Sequence, residues 1–536
     1  MQEMKKDFEL AEECSPSPVI GREYHQVDGE WQTVRRKNRR RQPLRFLSTR
    51  ENADGAEQQD RLVDAFPEDS VDGLRVADAV VTESSSGNDV EMEITPKVTV
   101  AEAFRNINVT HFASFIADIS EMHDVQLMRF ADYFGKVLAK VSYSQFPWIE
   151  ILKDSSVAKM VDIPLVDIPQ EVYKISVDWL SSRAVDALGS FVLWLLDNIV
   201  GEFEIHQGVA KATKKAVPET PPKSQVAIFV VLAMILRCKP DLLIILLPII
   251  KDSEKYKGHD KIPVMVWVIA QASQGDLAVG LFLCVHFLFN MLKDESNSNM
   301  ESWDFTLQVI ERVVSSPKAR MILLNRATRK GKRLVPPSAL EFLMRTTFSV
   351  QFNGTERLQV VYPTLKEVAI AAPSGSKTLK QITRKIMLFA IKAAGEGIVD
   401  LSEEAGDLCI WCLTMNQDCY KQWEDIYLEN VEGSILVLKK LLDEWKVFSV
   451  KQPILDPLKK SIQRLRVKNQ KAMAGCENAA RYASLRVAET YCKMLLGEIS
   501  PGQRYLSILV LAGIALAGIV VAMNAAFLFK DLKSFG

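Results

Sequence analysis

The sequence predicts an all-α protein: an irregular α-solenoid of the HEAT or armadillo kind, or, as no clean self-similarity marks repeats, a globular helical domain, preceded by a disordered N-terminal arm and followed by a single C-terminal transmembrane helix. Three observations predict it. Apolar residues recur at helix spacing from about residue 99 to 498, residues 1–98 segregate their charge and lack a core, and residues 505–529 carry no charge. Each is a statement about how much apolar surface a segment can bury, and against what.

The arm comes first. Arg35, Arg36, Lys37, Arg39, Arg40 and Arg41 fill six of seven consecutive positions, just after Trp31. From Phe46 to Val100 the balance reverses, with thirteen Asp or Glu against four Arg or Lys. A basic block followed by an acidic one (51–93) buries too little to offset the entropy of ordering. Order is expected to begin at Thr99, because Thr99 and Glu102 have the spacing of a capping box just after Pro96.

The helical region, 99–498, is read from its periodicity. Val172, Ile175 and Trp179 share a face, as do Val185, Leu188, Val192 and Leu195, then Trp303, Leu307, Ile310 and Val314. Leu379, Ile382, Ile386 and Phe389 repeat the pattern, and so do Ile435, Leu438, Leu442 and Trp445. Prolines punctuate these segments and strand alternation is almost absent. The polar stretch 208–223 reads as an internal loop. Two apolar stretches, 225–250 and 277–292, resemble spans but are broken by charge or are too short, and are expected to be inner helices.

The span is YLSILVLAGIALAGIVVAMNAAFLF, residues 505–529. About 20 apolar residues suffice to cross the hydrocarbon core. Gly513 with Ala517 and Gly518 with Ala522 set small residues four apart, a spacing at which two spans can approach closely and form a homo-oligomer. The first residues, MQEMKKDFELAEE, hold no apolar run of the kind a cleaved secretory signal needs. The short tail 530–536 is easier to move across a bilayer than the bulk of the chain, so a tail anchor with the bulk facing the cytosol is expected.

The totals constrain function. With 536 residues, 48% hydrophobic, 25% charged and a formal net charge of -1, the chain is not basic overall, so any contact with nucleic acid or lipid must be local. Its eight cysteines are scattered, unlike a secreted disulfide framework. CIWCLTMNQDC places Cys409, Cys412 and Cys419 close together, but a structural zinc needs further ligands in comparable spacing; core cysteines are the expectation. PSGSKTLK (373–380) lacks the glycine before Lys377 that a phosphate-binding loop requires, and reads as a helix start capped by Ser374 or Ser376. Glu403 and Glu404 read as a solvated helix start, and the basic clusters 325–333 and 459–468 as solvated faces. No pattern for a nucleophile, metal or cofactor stands out, so no enzyme and no cofactor is expected.

Several phrases together resemble a known family. They are DGEWQTV with the basic block after it, DWLSSRAVDALGSFVLWLLDNI (178–199), PKSQVAIFVVLAMILRCKPDLL (222–243), VIAQASQGDLAVGL (268–281), SSPKAR (315–320), RLVPPSALEFLMR (333–345), VYPTLKEVAIAA (361–372) and CLTMNQDCYKQWE (412–424). They are similar to the transmembrane protein 214 family, its plant branch most of all. The resemblance implies an endoplasmic-reticulum membrane protein with a large helical region and no enzymatic activity or cofactor. For animal members it implies two spans and a part in stress-induced cell death, through recruitment of a procaspase.

Two functions are therefore expected to compete. One is a scaffold that presents a helical platform to cytosolic proteins at the endoplasmic reticulum. The other is an RNA- or ribosome-associated membrane protein, in which Trp31 stacks on a base and the 35–41 cluster grips phosphates. The same cluster can meet anionic lipid, or the chain's own acidic stretch. A nuclear address fits poorly with a membrane anchor.

Overall fold

The structure, a computed structural model, describes residues 98–499 apart from 122–124, 212–224, 294–299, 350–354 and 452–454. Trp31, the basic cluster 35–41, the acidic stretch 51–93 and the span 505–529 with Gly513, Ala517, Gly518 and Ala522 lie outside the described residues.

Order starts at the capping box. Ahead of α1 (Val100–Arg105), the Thr99 hydroxyl accepts from Glu102 N–H at 3.2 Å and the Glu102 carboxylate accepts from Thr99 N–H at 2.8 Å. Two donors that a helix start leaves free are thereby satisfied. In α2 (Val109–Ser120), Asn108 Oδ1 accepts from His111 N–H at 3.0 Å. Phe130 and Phe134 of α3 (Gln126–Val137) are fully buried, Phe134 edge-on to Phe112 of α2. The chain continues through α4 (Trp148–Asp154), α5 (Val157–Met160) and α6 (Gln170–Ser181) into α7 (Val185–Lys211). The Leu188, Val192 and Leu195 face is buried as expected, whereas Val185 at its start is 43% exposed. Helix α7 runs to Lys211, so residues 208–211 of the expected loop are helical, and 212–223 lie outside the described residues.

The apolar stretches form an interior. Helix α8 (Gln225–Cys238) buries every residue from Val226 to Leu236, enclosed by α3, α6, α7 and α10. A helix apolar all round must be covered all round, and here protein covers it. Helix α9 (Asp241–Asp252) departs from that rule: Ile245 and Ile249 are 47% and 53% exposed on its outer side. Then α10 (Ile262–Gly275) doubles back against α11 (Leu277–Leu283), which passes through a π turn, Cys284–Leu288, into α12 (Phe289–Leu292). The approach is close at Gly280, where a Cβ would lie 2.5 Å from that of Ser273. Among the described residues no helix is long and apolar enough to cross a membrane.

Helices α13 (Met300–Val314) and α14 (Ala319–Asn325) lead to a two-residue-stranded hairpin, β1 (Thr328–Arg329) with β2 (Lys332–Arg333). Its turn residues Lys330 and Gly331 have φ of 47° and 75°, as a tight hairpin demands. It is the only sheet among the described residues. Two antiparallel pairs follow, α15 (Pro337–Thr347) with α16 (Thr355–Ile370) and α17 (Lys377–Ala394) with α18 (Val399–Met415). Beyond them lie α19 (Asp418–Ile426), α20 (Val431–Asp443), α21 (Trp445–Lys451) and the hairpin of α22 (Asp456–Ala474) with α23 (Ala479–Ile499). The all-helical expectation is borne out. In α20 the buried face is rotated from the expected one: Val431, Ser434, Val437 and Leu441 join Leu438 inside, while Ile435 and Leu442 are half-buried. The cause is that α20 is packed by α17 and α18 as well as by α23, so a wider arc is covered.

Candidate functional site

The cysteine row is core. Cys409 and Cys412 lie on α18 and Cys419 on α19, all fully buried and free. Burial pushes the thiols of Cys409 and Cys412 upward, and that of Cys419 up to about 11, which keeps them protonated and poor nucleophiles. Next to them, Asn416 Nδ2 donates to Thr383 Oγ1 at 2.9 Å, tying the α18–α19 turn to α17. Among the described residues no group of three or more His, Cys, Asp or Glu is placed to hold a metal ion. Ser376 caps α17 by accepting from Leu379 N–H at 3.0 Å, so PSGSKTLK is a helix start.

The first basic cluster corrects the expectation of a solvated loop. Arg329 makes a fork onto Asp241 at 2.8 Å and reaches Asp276 at 2.7 Å, and Asp276 is also held by Arg326. The Arg329 fork lowers the pKa of Asp241. Arg333 Nη2 donates to the carbonyls of Val368, Ala369 and Ala371 at 3.0, 2.8 and 2.9 Å, closing the C-terminal end of α16. These arginines are consumed because the hairpin folds down between the start of α9 and the end of α16. Lys330 and Lys332 remain exposed.

Glu404 is a second correction. Glu403 is solvated as expected, but the Glu404 side chain is only 12% exposed, accepting from Tyr362 at 2.9 Å and Lys366 at 2.7 Å. The start of α18 rests on α16, which turns one of the two adjacent carboxylates inward.

The third correction is the cluster 459–468. Arg464 pairs with the buried Glu424 at 3.0 Å, Ser461 donates to the same carboxylate, and Lys468 donates to the Glu424 carbonyl. Arg466 pairs with the buried Glu489 at 3.0 Å, joining α22 to α23. Lys460 and the outer part of Arg464 stay open to solvent, and Lys459 is half-buried. Charge runs in a sequence do not say which cations will meet a carboxylate from a distant helix.

Exposed helix surface among the described residues is open to a partner. Its sharpest piece is α21, which faces Lys446, Val447, Val450 and Lys451 outward and buries Phe448. The sequence reading passed over it, although the spacing of Val447 and Val450 between two lysines was there to be seen. Trp31, the 35–41 arm and residues 505–529 lie outside the described residues.

Residues 230–536 match the family model described as "TMEM214, C-terminal, caspase 4 activator". The chain is 22% identical to human Transmembrane protein 214 over 292 residues, 53% of this chain and 38% of that one. It is likewise 22% identical to mouse Transmembrane protein 214 over 254 residues, 46% of this chain and 34% of that one. In both relatives the matched stretch is well under half of the protein. No solved structure matches the chain.

Proposed function

The chain belongs to the transmembrane protein 214 family, and from that premise we propose that it is a non-enzymatic scaffold. In this reading residues 505–529 anchor it in the endoplasmic-reticulum membrane and the helices of 99–498 form an irregular solenoid in the cytosol, whose surface captures proteins. The observation that carries the reading is the extent of the family match. It begins inside α8 and runs through the uncharged 505–529 stretch to the last residue, so one family model covers both the helices from α8 on and the apolar segment. The packing supports it: the thiols of Cys409, Cys412 and Cys419 are core, and Arg329, Arg333 and Arg466 are tied to carboxylates or carbonyls of other helices, while exposed helix surface is left for recognition. The caspase 4 activator of the family description supports a partner in cell-death signalling.

Proximity labelling from the N-terminus of the anchored full chain tests this. Cytosolic proteins of the endoplasmic-reticulum surface should dominate. Lumenal proteins would refute the orientation, as would glycan on Asn108, whose sequon sits on the folded start of α2.

A further inference from the structure

We propose that α21 is a membrane-surface wedge: its outward Val447 and Val450 sit in the lipid interface beside the point where the chain enters the bilayer. The inference rests on the reading of 505–529 as a span.

Three pairings gather the relevant ends. Arg466 and Glu489 set α22 and α23 antiparallel, so that Asp456, ten residues before Arg466, lies level with Ile499, ten residues after Glu489. Trp423 Nε1 donates to Ser434 Oγ at 3.0 Å, Glu424 is held at the Ser461–Arg464 level of α22, and Arg481, at the turn end of the α22–α23 hairpin, donates to the Leu428 carbonyl just ahead of α20 at 3.0 Å. From Ser434, α20 therefore climbs toward the same end, rising roughly 14 Å by Asp443. That is enough to reach the start of α22 or pass it. Helix α21 follows one residue after α20, and the chain returns from it to α22 within four residues. The last turn of α23, the first turn of α22 and α21 thus share one end of the domain.

That end is tied close to the bilayer. Only residues 500–504 separate Ile499 from Tyr505, a reach of roughly 20 Å even fully extended. Val450 is 81% exposed and Val447 53%, one helical step apart on the face opposite the buried Phe448. Lys446 and Lys451 flank them and can lay their stems along lipid while keeping the ammonium groups in water. Charge at this end is slightly positive: Lys446, Lys451, Lys459, Lys460, Lys493 and Arg504 stand against Asp443, Glu444, Asp456 and Glu498. With so small an excess, insertion of the exposed Val447 and Val450 is the driving contact and attraction to anionic lipid is secondary, as for a short amphipathic helix lying in the interface.

The test uses the full chain in phosphatidylcholine vesicles, with a photoreactive diazirine side chain at position 450, or at Tyr482 as control. Tyr482 is also exposed but lies toward the far end of the same hairpin, roughly 25 Å from Ile499 along α23. Lipid adducts at 450 should exceed those at 482 about tenfold, and adding anionic lipid should change the yield by less than twofold. Equal yields at the two positions, or adducts of 450 with protein alone, overturn the wedge if the chain still resists carbonate extraction. Release by carbonate overturns the span reading, and the wedge with it.

Discussion

Helices α8 and α10 differ from the hairpin α22–α23 in what surrounds them, and the difference decides how polar groups are handled. In the first pair protein covers every side, and the polar groups inside must satisfy one another. Arg237 Nε donates to Gln271 Oε1 at 2.8 Å and its Nη2 to the Val161 carbonyl at 2.6 Å, while Gln271 Nε2 donates to that carbonyl at 2.7 Å. Burial lowers the pKa of this arginine. In the hairpin one face stays wet, and cations at its edge reach in to buried carboxylates, Arg464 to Glu424 and Arg466 to Glu489. An apolar run therefore reports how many sides of a helix are covered, without saying by what. Length separates the cases: α8 has 14 residues, about 21 Å, short of a hydrocarbon core of about 30 Å.

If the inner pair is held by packing, a void there should cost most. Trp267 is 2% exposed, lies edge-on to Phe229 with ring centroids 4.9 Å apart, and donates to the Ile163 carbonyl at 3.2 Å. Trp267→Ala is expected to destabilise the helical domain by about 3–5 kcal/mol in denaturant unfolding. A loss under 1 kcal/mol would mean the interior is loosely packed. Close backbone approach should come next. A Cβ on Gly433 would lie 2.0 Å from the Ile391 carbonyl, so Gly433→Ala must push α20 away from α17, at a cost of about 1–3 kcal/mol. Unchanged stability would show that the two helices can part freely.

The hairpin should respond less. Glu424→Gln keeps the shape but removes the charge that Arg464 and Ser461 meet, and is expected to cost about 1–2 kcal/mol. Arg464→Gln removes the exposed partner, 62% accessible, and should cost under about 1 kcal/mol. Equal costs from the two would mean that the pair, not the buried carboxylate, matters.

The smallest effect concerns pH. His286, stacked on Phe282 and bonded to the Arg333 carbonyl at 2.8 Å, has its pKa lowered, first by burial. The unfolded chain then takes up the proton first, so stability falls as pH drops below the ordinary histidine value of about 6.5. Between pH 7.5 and 5.5, His286→Gln should flatten that part of the decline, read as a smaller drop in melting temperature. An unchanged slope would assign the pH dependence to other groups.

Much of the fold was legible because helix periodicity and caps are local. Thr99 with Glu102 and Ser376 with Leu379 N–H each need only three residues of chain. The arcs of burial were less legible, as α20 shows, because they depend on which distant helices come to rest there. The fates of Arg329, Arg333, Glu404 and Arg466 were not legible, since each partner lies at least 23 residues away in sequence. Sequence shows charge density; only packing shows which charges are left for a partner.

The central claim is that the apolar helices of 225–292 are covered by protein and that 505–529 alone holds the chain in the membrane. Carbonate extraction of the full chain beside a variant lacking 505–529 tests it most directly. The full chain should stay in the membrane pellet and the deletion variant should move to the supernatant as a folded helical protein. If the deletion variant resists extraction, α8–α12 enter the bilayer and the claim fails.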